Sequence, residues 1–226
     1  MSAVFPRGSR TYFNIAVIGL LILGAMGTTG VWYYATPKYT RVGYAPLQPV
    51  SFSHAQHVGE LGLDCTYCHS HVGESPHANI PATQVCMNCH GSDRGNIKAD
   101  SPALAALREA AQSGRPVPWV QLHRLPDYAY FNHAVHVRRG VSCVSCHGQI
   151  NQMPVVFHAE PLSMSWCLEC HRNPQEHLRP ADRVTDLNWD PSQDPLFRPE
   201  SREEFLQYLT KEVGIRAPTD CSGCHR

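Results

Sequence analysis

Five copies of Cys-x-x-Cys-His take up all ten cysteines of the chain, and that pattern limits what it can fold into more than any other feature. The copies are Cys65, Cys68 and His69; Cys86, Cys89 and His90; Cys143, Cys146 and His147; Cys167, Cys170 and His171; and Cys221, Cys224 and His225. A single CxxC is shared by zinc ribbons and thioredoxin-like redox pairs. Five copies, each followed by histidine and with no thiol left over, point to covalent haem instead. Two thiols three residues apart add to the vinyl groups of one porphyrin, and the adjacent imidazole then reaches its iron. The expectation is five haem c groups, with thioethers to the ten cysteines and proximal iron ligation by the five motif histidines. Attachment of this kind belongs outside the cytoplasmic membrane, where bare thiols would otherwise pair as disulfides.

Five porphyrins change what serves as a core. With 18 prolines, 16 glycines and 17% charged residues in 226, long regular elements are not expected throughout. The fold class expected is a multihaem cytochrome c: mostly irregular, with short α-helices packed around five covalent haems, plus one N-terminal transmembrane helix. Haem burial replaces much of an ordinary side-chain core, so the apoprotein is expected to be largely unfolded. The polypeptide has a formal charge of zero, the haem propionates add negative charge, and nothing resembles a basic nucleic-acid surface.

Thr11 to Pro37 carries no charge, and Ile15 to Tyr34 is twenty mostly apolar residues, enough for a helix of roughly 30 Å, the thickness of a bilayer core. Residues 1–13 are read as a cytoplasmic N-terminus and 14–35 as the anchor. Trp32, Tyr33 and Tyr34 stand where an aromatic belt belongs, with Arg7 and Arg10 at the other end. Lys38 and Arg41 balance those arginines, so orientation rests on haem attachment, which puts the C-terminal part on the periplasmic face of a bacterial inner membrane. A cleaved signal peptide is the competing reading; the length of the run and the want of a small-x-small cleavage site favour the anchor. Gly19, Gly24, Ala25, Gly27 and Gly30 either permit close packing against another membrane helix or face lipid.

The rest of the chain contains a duplication. Phe52-x-His54-x-x-His57 precedes the Cys65 motif and the Cys86 motif follows; Phe131-x-His133-x-x-His136 precedes the Cys143 motif and the Cys167 motif follows, 79 residues on. His77-Ala78 and His158-Ala159 both stand nine residues before their next motif. A period this long predicts two dihaem modules, 36–98 and 131–180, joined by a linker over 99–130. Ser101-Pro102 opens a short helix there, which Gly114 closes. Residues 181–226 hold a proline-rich stretch, a helix capped by Ser201 and Glu204 and stopped by Gly214, and the fifth motif. The prolines predict an extended strap, an ordinary surface loop or a segment laid along a partner.

The sixth iron position decides function: filled for electron transfer, open for substrate chemistry. Nine histidines remain beyond the proximal five: His54, His57, His71, His77, His123, His133, His136, His158 and His177. The two HxxH pairs are the leading distal candidates, because residues three apart on one turn point to a similar side and can serve two neighbouring haems. His123, between the modules, is the choice for the fifth. His77 and His158 have the repeat in their favour as further candidates, and the competing reading is that they are solvated loop histidines. A thioether ligand is the alternative, with Met153 favoured over Met164.

The FxHxxH...CxxCH...CxxCH arrangement resembles the class III multihaem cytochromes, in which paired histidines serve different haems. The anchor, the two modules, PWVQLHRLPDYAYFNHAVH followed by CVSCHG, LSMSWCLECHRNP and the C-terminal fifth motif together resemble the pentahaem cytochrome c subunit of alternative complex III. That resemblance implies a place in a bacterial quinol:electron-acceptor oxidoreductase, beside integral-membrane quinol-binding subunits, an iron-sulfur subunit and a monohaem cytochrome c, passing electrons to a cytochrome or copper-protein acceptor. It implies no substrate site on the chain itself. Two other classes compete: an anchored quinol dehydrogenase feeding a periplasmic reductase, and a multihaem reductase, which needs a haem with an open face and neighbouring acid or base groups.

Overall fold

A computed structural model describes residues 6, 8–35, 41–190, 192–194, 203, 204, 207 and 214–225. The apolar run forms one helix, α1 (Ser9–Ala35, 27 residues), none of whose residues is buried. At 1.5 Å per residue it is about 40 Å long, long and apolar enough to cross a membrane. It fits a single-pass anchor or a signal sequence.

Beyond α1 the chain is short helical turns joined by loops. Among the described residues there is no strand, only isolated bridges between Ala129 and His225 and between Val141 and Leu178. Each CxxCH starts or ends a helical piece: α2 (Cys65–Cys68) and α3 (Thr83–His90), with further pieces downstream. The linker helix α4 (Ala105–Ser113) ends at Gly114, whose φ of 69° is left-handed. Its entry is a tighter 3₁₀ turn, Pro102–Leu104, and the Ser101 side chain makes no cap bond. The second HxxH lies on α5 (His133–Arg138), followed by α6 (Val144–His147) and α7 (Met164–Arg172). The fifth motif forms α8 (Cys221–Cys224). The helix expected after Ser201 falls largely outside the described residues.

These turns are too short to propagate alone, and side chains just upstream start several of them. Asp64 accepts from the Thr66 amide (2.8 Å), Ser163 from Trp166 (3.3 Å) and Asp220 from Gly223 (3.0 Å). Such caps satisfy amides that a first turn leaves orphaned. The side-chain core is correspondingly thin. Val50, Leu107, Ala110 and Val117 form one buried cluster, with Cys86, Met87 and Trp119 packed against it. The accessible surface is 16102 Å², against about 10,000 Å² for a compact chain of this mass. The polypeptide by itself leaves walls rather than a filled interior.

The two modules interlock. The first HxxH sits on a π-helical turn, Ala55–Glu60, which lies against residues 150–153 of the second module: the Ala55 amide donates to the Met153 carbonyl (3.1 Å), and a Cβ on Gly59 would overlap the Asn151 carbonyl. In return α5 docks on the first module, where His133 and Ala134 amides donate to the Pro76 and Ser75 carbonyls (both 3.2 Å) and Arg138 Nε donates to Gly73 O (2.6 Å).

The proline-rich stretch is not extended over its described part. It turns through a 3₁₀ segment, Ala181–Arg183, and buries Val184 and Leu187. The Ser142 hydroxyl and the Cys143 amide donate to Val184 O (2.9 and 3.4 Å), and Gln149 Nε2 donates to Leu187 O (3.3 Å). Apolar anchors spaced three apart hold it on the third motif, which the prolines alone do not reveal.

Candidate functional site

The duplication reappears as geometry. Phe52 meets His54 edge-on (4.8 Å, 85°) and stacks on His57 (4.3 Å, 27°). Phe131 meets His133 edge-on (4.7 Å, 88°) and stacks on His136 (4.5 Å, 29°). In each pair one phenylalanine fixes two imidazoles in different planes, although one turn is π-helical and the other α-helical.

Backbone carbonyls then fix the tautomers. Nδ1 of His57, His69, His90, His133, His136, His171 and His225 lies 2.9, 2.7, 2.6, 2.8, 2.8, 2.7 and 3.1 Å from the carbonyl oxygens of Ser53, Asn79, Ile97, Pro76, Asn132, Pro218 and Tyr128. A carbonyl only accepts, so Nδ1 carries the proton and Nε2 keeps its lone pair, the arrangement of a metal-ligating imidazole. Asn96 and Lys98 both have left-handed φ (52° and 51°), and they turn the Ile97 carbonyl between them towards His90.

Two histidine pairs bring their rings near one another. The ring centroids of His57 and His90 are 6.2 Å apart, and those of His136 and His171 are 6.1 Å apart. With a metal–nitrogen distance of about 2 Å and about 1.1 Å more to the ring centre, two imidazoles trans on one metal ion place their centroids about 6 Å apart. Each pair thus joins a histidine of an HxxH turn to the histidine of the second motif in its module.

His54, His123 and His147 are held neutral. Burial, with the His69 and His57 rings nearby, pushes His54 down to about 4. Burial and the neighbouring His158 push His123 down to about 4, and burial above all pushes His147 down to about 3. His123 Nε2 and His54 Nδ1 are buried without a hydrogen-bond partner, a costly state unless something bound supplies one. His123 lies 4.4 Å edge-on from His147 and 4.9 Å from His158.

His158 is the histidine that sequence reasoning misplaced. It is 2% exposed, not solvated, because its backbone pairs with the segment after α1: Gly43 N donates to His158 O (2.8 Å) and His158 N to Tyr44 O (2.9 Å). Its counterpart in the repeat, His77, is exposed, as are His71 and His177. Met153 is buried beside Gly148 of the third motif, whereas Met164 is 66% exposed.

Asn79 holds the first motif from three directions. Its carbonyl takes the His69 Nδ1 proton, its Oδ1 accepts from the His71 amide (3.0 Å) and its Nδ2 donates to Cys68 O (3.4 Å). Its φ of 60° is one that asparagine tolerates better than most residues. Asn79→Gly keeps that φ and removes both side-chain bonds. The expected result is a loss of about 1–2 kcal/mol of stability and a changed paramagnetic resonance signature for one haem. Identical g-values for all haems would remove the positioning role.

The residues fit haem c. None of the ten cysteines forms a disulfide, and among the described residues no three His, Cys, Asp or Glu side chains converge as a purely protein-ligated metal site, which a zinc ribbon requires. A groove of about 360 Å³ runs beside Cys86, walled by Ile80, Pro81, Leu107, Val117 and Trp119, an apolar cradle next to a thiol of the second motif.

Residues 50–106 and 129–226 match the family of cytochrome c7 and related cytochrome c. A protein of Nitratidesulfovibrio vulgaris named menaquinone reductase, multiheme cytochrome c subunit, is 35% identical over 140 residues, 62% of this chain. The aligned part spans 59% of that relative's length.

Proposed function

The chain belongs to the family of cytochrome c7 and related cytochromes c, and from that premise we propose that it is the electron-transfer subunit of a quinone-linked oxidoreductase in the bacterial inner membrane. It is anchored by α1, with residues 41–225 on the periplasmic side. The observation that carries this reading is the pairing of His57 with His90 and of His136 with His171 at the spacing of trans imidazoles. An iron with protein ligands on both sides has no position for substrate.

In this reading the ten cysteines hold five haem c groups and His69, His90, His147, His171 and His225 are proximal ligands. His57 and His136 are distal ligands to the second and fourth haems. His54 and His133 serve other irons of the set, and His123, with its bare buried Nε2, is preferred to Met153 for a further one. Bound haem supplies reversible one-electron chemistry. The chain's own part is to orient seven of the imidazoles through a carbonyl at Nδ1 and to keep the buried His54, His123 and His147 neutral.

The finer assignment we propose is the pentahaem subunit of alternative complex III. Its partners would be integral-membrane quinol-binding subunits, an iron-sulfur subunit and a monohaem cytochrome c, and a cytochrome or copper protein would be the acceptor. The named function of the N. vulgaris relative favours a second reading of the same class, in which the complex delivers electrons to quinone. Purification from membranes in mild detergent, with identification of co-purifying chains and assays in both directions, separates them. Quinol oxidation by a multi-subunit complex with low-spin haems supports the first, and quinone reduction supports the second. A lone chain with a high-spin, ligand-accessible haem overturns both in favour of an enzyme.

A further inference from the structure

We infer that the five attachment motifs stand in one unbranched row, ordered second, first, third, fourth, fifth. The inference rests on the reading that each motif carries a haem.

The centre of the row is the junction of the first and third motifs. They meet two successive residues of one strap: the Cys143 amide donates to Val184 O (3.4 Å), and the Cys65 thiol lies 4.0 Å from Thr185 O. The Cys65 and Cys143 side chains are neighbours there. His133, at the entrance to the third motif, is bonded to Pro76 in the loop after the first.

From that centre each module extends outward. Tyr67, inside the first motif, accepts through its hydroxyl from Asn88 Nδ2, inside the second (3.3 Å). On the other side His136, on the helix that leads into the third motif, faces His171 of the fourth. The fifth motif follows from the fourth: His171 is bonded to Pro218 O, three residues before Cys221, and Pro218 packs against Gly223 within that motif. The fifth also lies along the entrance to α5, where the Tyr130 amide donates to Cys224 O (2.8 Å) and His225 pairs with Ala129.

Exposure gives the same two ends independently. Of the ten cysteines only Cys89 and Cys221 are exposed, and they belong to the second and fifth motifs. Thioether carbons mark one edge of each porphyrin, so an exposed attachment cysteine marks a haem edge near the surface.

The test uses the matured holoprotein in detergent. His57→Ala and His136→Ala place a high-spin marker at the second and the fourth motif, and each is combined with Cys221→Ala/Cys224→Ala, which removes the fifth haem. Pulsed paramagnetic resonance should then show the marker at the fourth motif losing its fast relaxation when the fifth haem is absent, while the marker at the second motif is unchanged. An equal response at the second motif, or none at the fourth, overturns the order. If neither alanine variant gives a high-spin signal, the ligand assignment fails. The order is then judged from iron positions in an electron cryomicroscopy map of the wild-type holoprotein. A nearest-neighbour sequence of second, first, third, fourth, fifth upholds it, and a fifth iron beside the first or second overturns it.

Discussion

On the proposed ligand set, replacing His136 by alanine should turn one haem from low spin to high spin, with a loss of about one fifth of the low-spin ferric signal if all five motifs carry haem. Each ligand histidine serves one iron, so the change should be discrete rather than spread over the set. The same loss is expected from His57→Ala, and the two should add, because their partners His90 and His171 belong to different motifs. His136→Met should restore a low-spin centre at a higher potential, since a thioether raises the potential relative to a second imidazole. His77→Ala, at an exposed position, is the control and should change nothing. A low-spin signal of full intensity in His136→Ala would remove that residue from the ligand set.

Gly59→Ala should be strongly damaging at the contact between the two halves. The added Cβ would overlap the Asn151 backbone carbonyl, and backbone cannot swing aside as a side chain can. A cost of about 3 kcal/mol is expected for such overpacking, read as a lower melting temperature of the haem absorbance and a lower yield of fully haem-loaded protein. Gly140→Ala should behave similarly for two reasons: its φ is +85°, and its Cβ would overlap the Arg179 carbonyl. Gly73 has open space around its Cβ position, and Gly73→Ala is the comparison. Wild-type melting in Gly59→Ala would mean that the contact between the π turn and residues 150–153 contributes little.

What was legible in the sequence was whatever depends on local spacing. Covalent attachment needs two thiols and an imidazole within five residues, so the motifs announce themselves, and the second HxxH repeats the first because a phenylalanine two residues upstream, Phe52 or Phe131, arranges each pair. His158 was not legible. Its burial is produced by backbone bonds to Gly43 and Tyr44, more than a hundred residues away, and the one local signal was the apolar run Val155, Val156 and Phe157 before it, where Glu74, Ser75 and Pro76 precede His77. The strap failed for a related reason: its prolines speak for extension, while Val184 and Leu187 fold it onto the third motif. Periodicity likewise cannot separate a π-helical turn from an α-helical one over six residues. Asn79, which clamps the first motif, carried no signal beyond being an asparagine in a loop.

The interlocking of the modules bears on how the protein is made. On the proposed periplasmic placement, export would proceed from the N-terminus, and the first two motifs would reach the attachment machinery before residues 133–153 had crossed the membrane. At that moment the turn bearing His54 and His57 would lack the wall that residues 150–153 provide, and the loop at Ser75 and Pro76 would lack α5. The early half would then receive its haems as an unfinished assembly, completed only when the later half arrives. A gene cut between the two repeats would yield two incomplete halves rather than two small cytochromes.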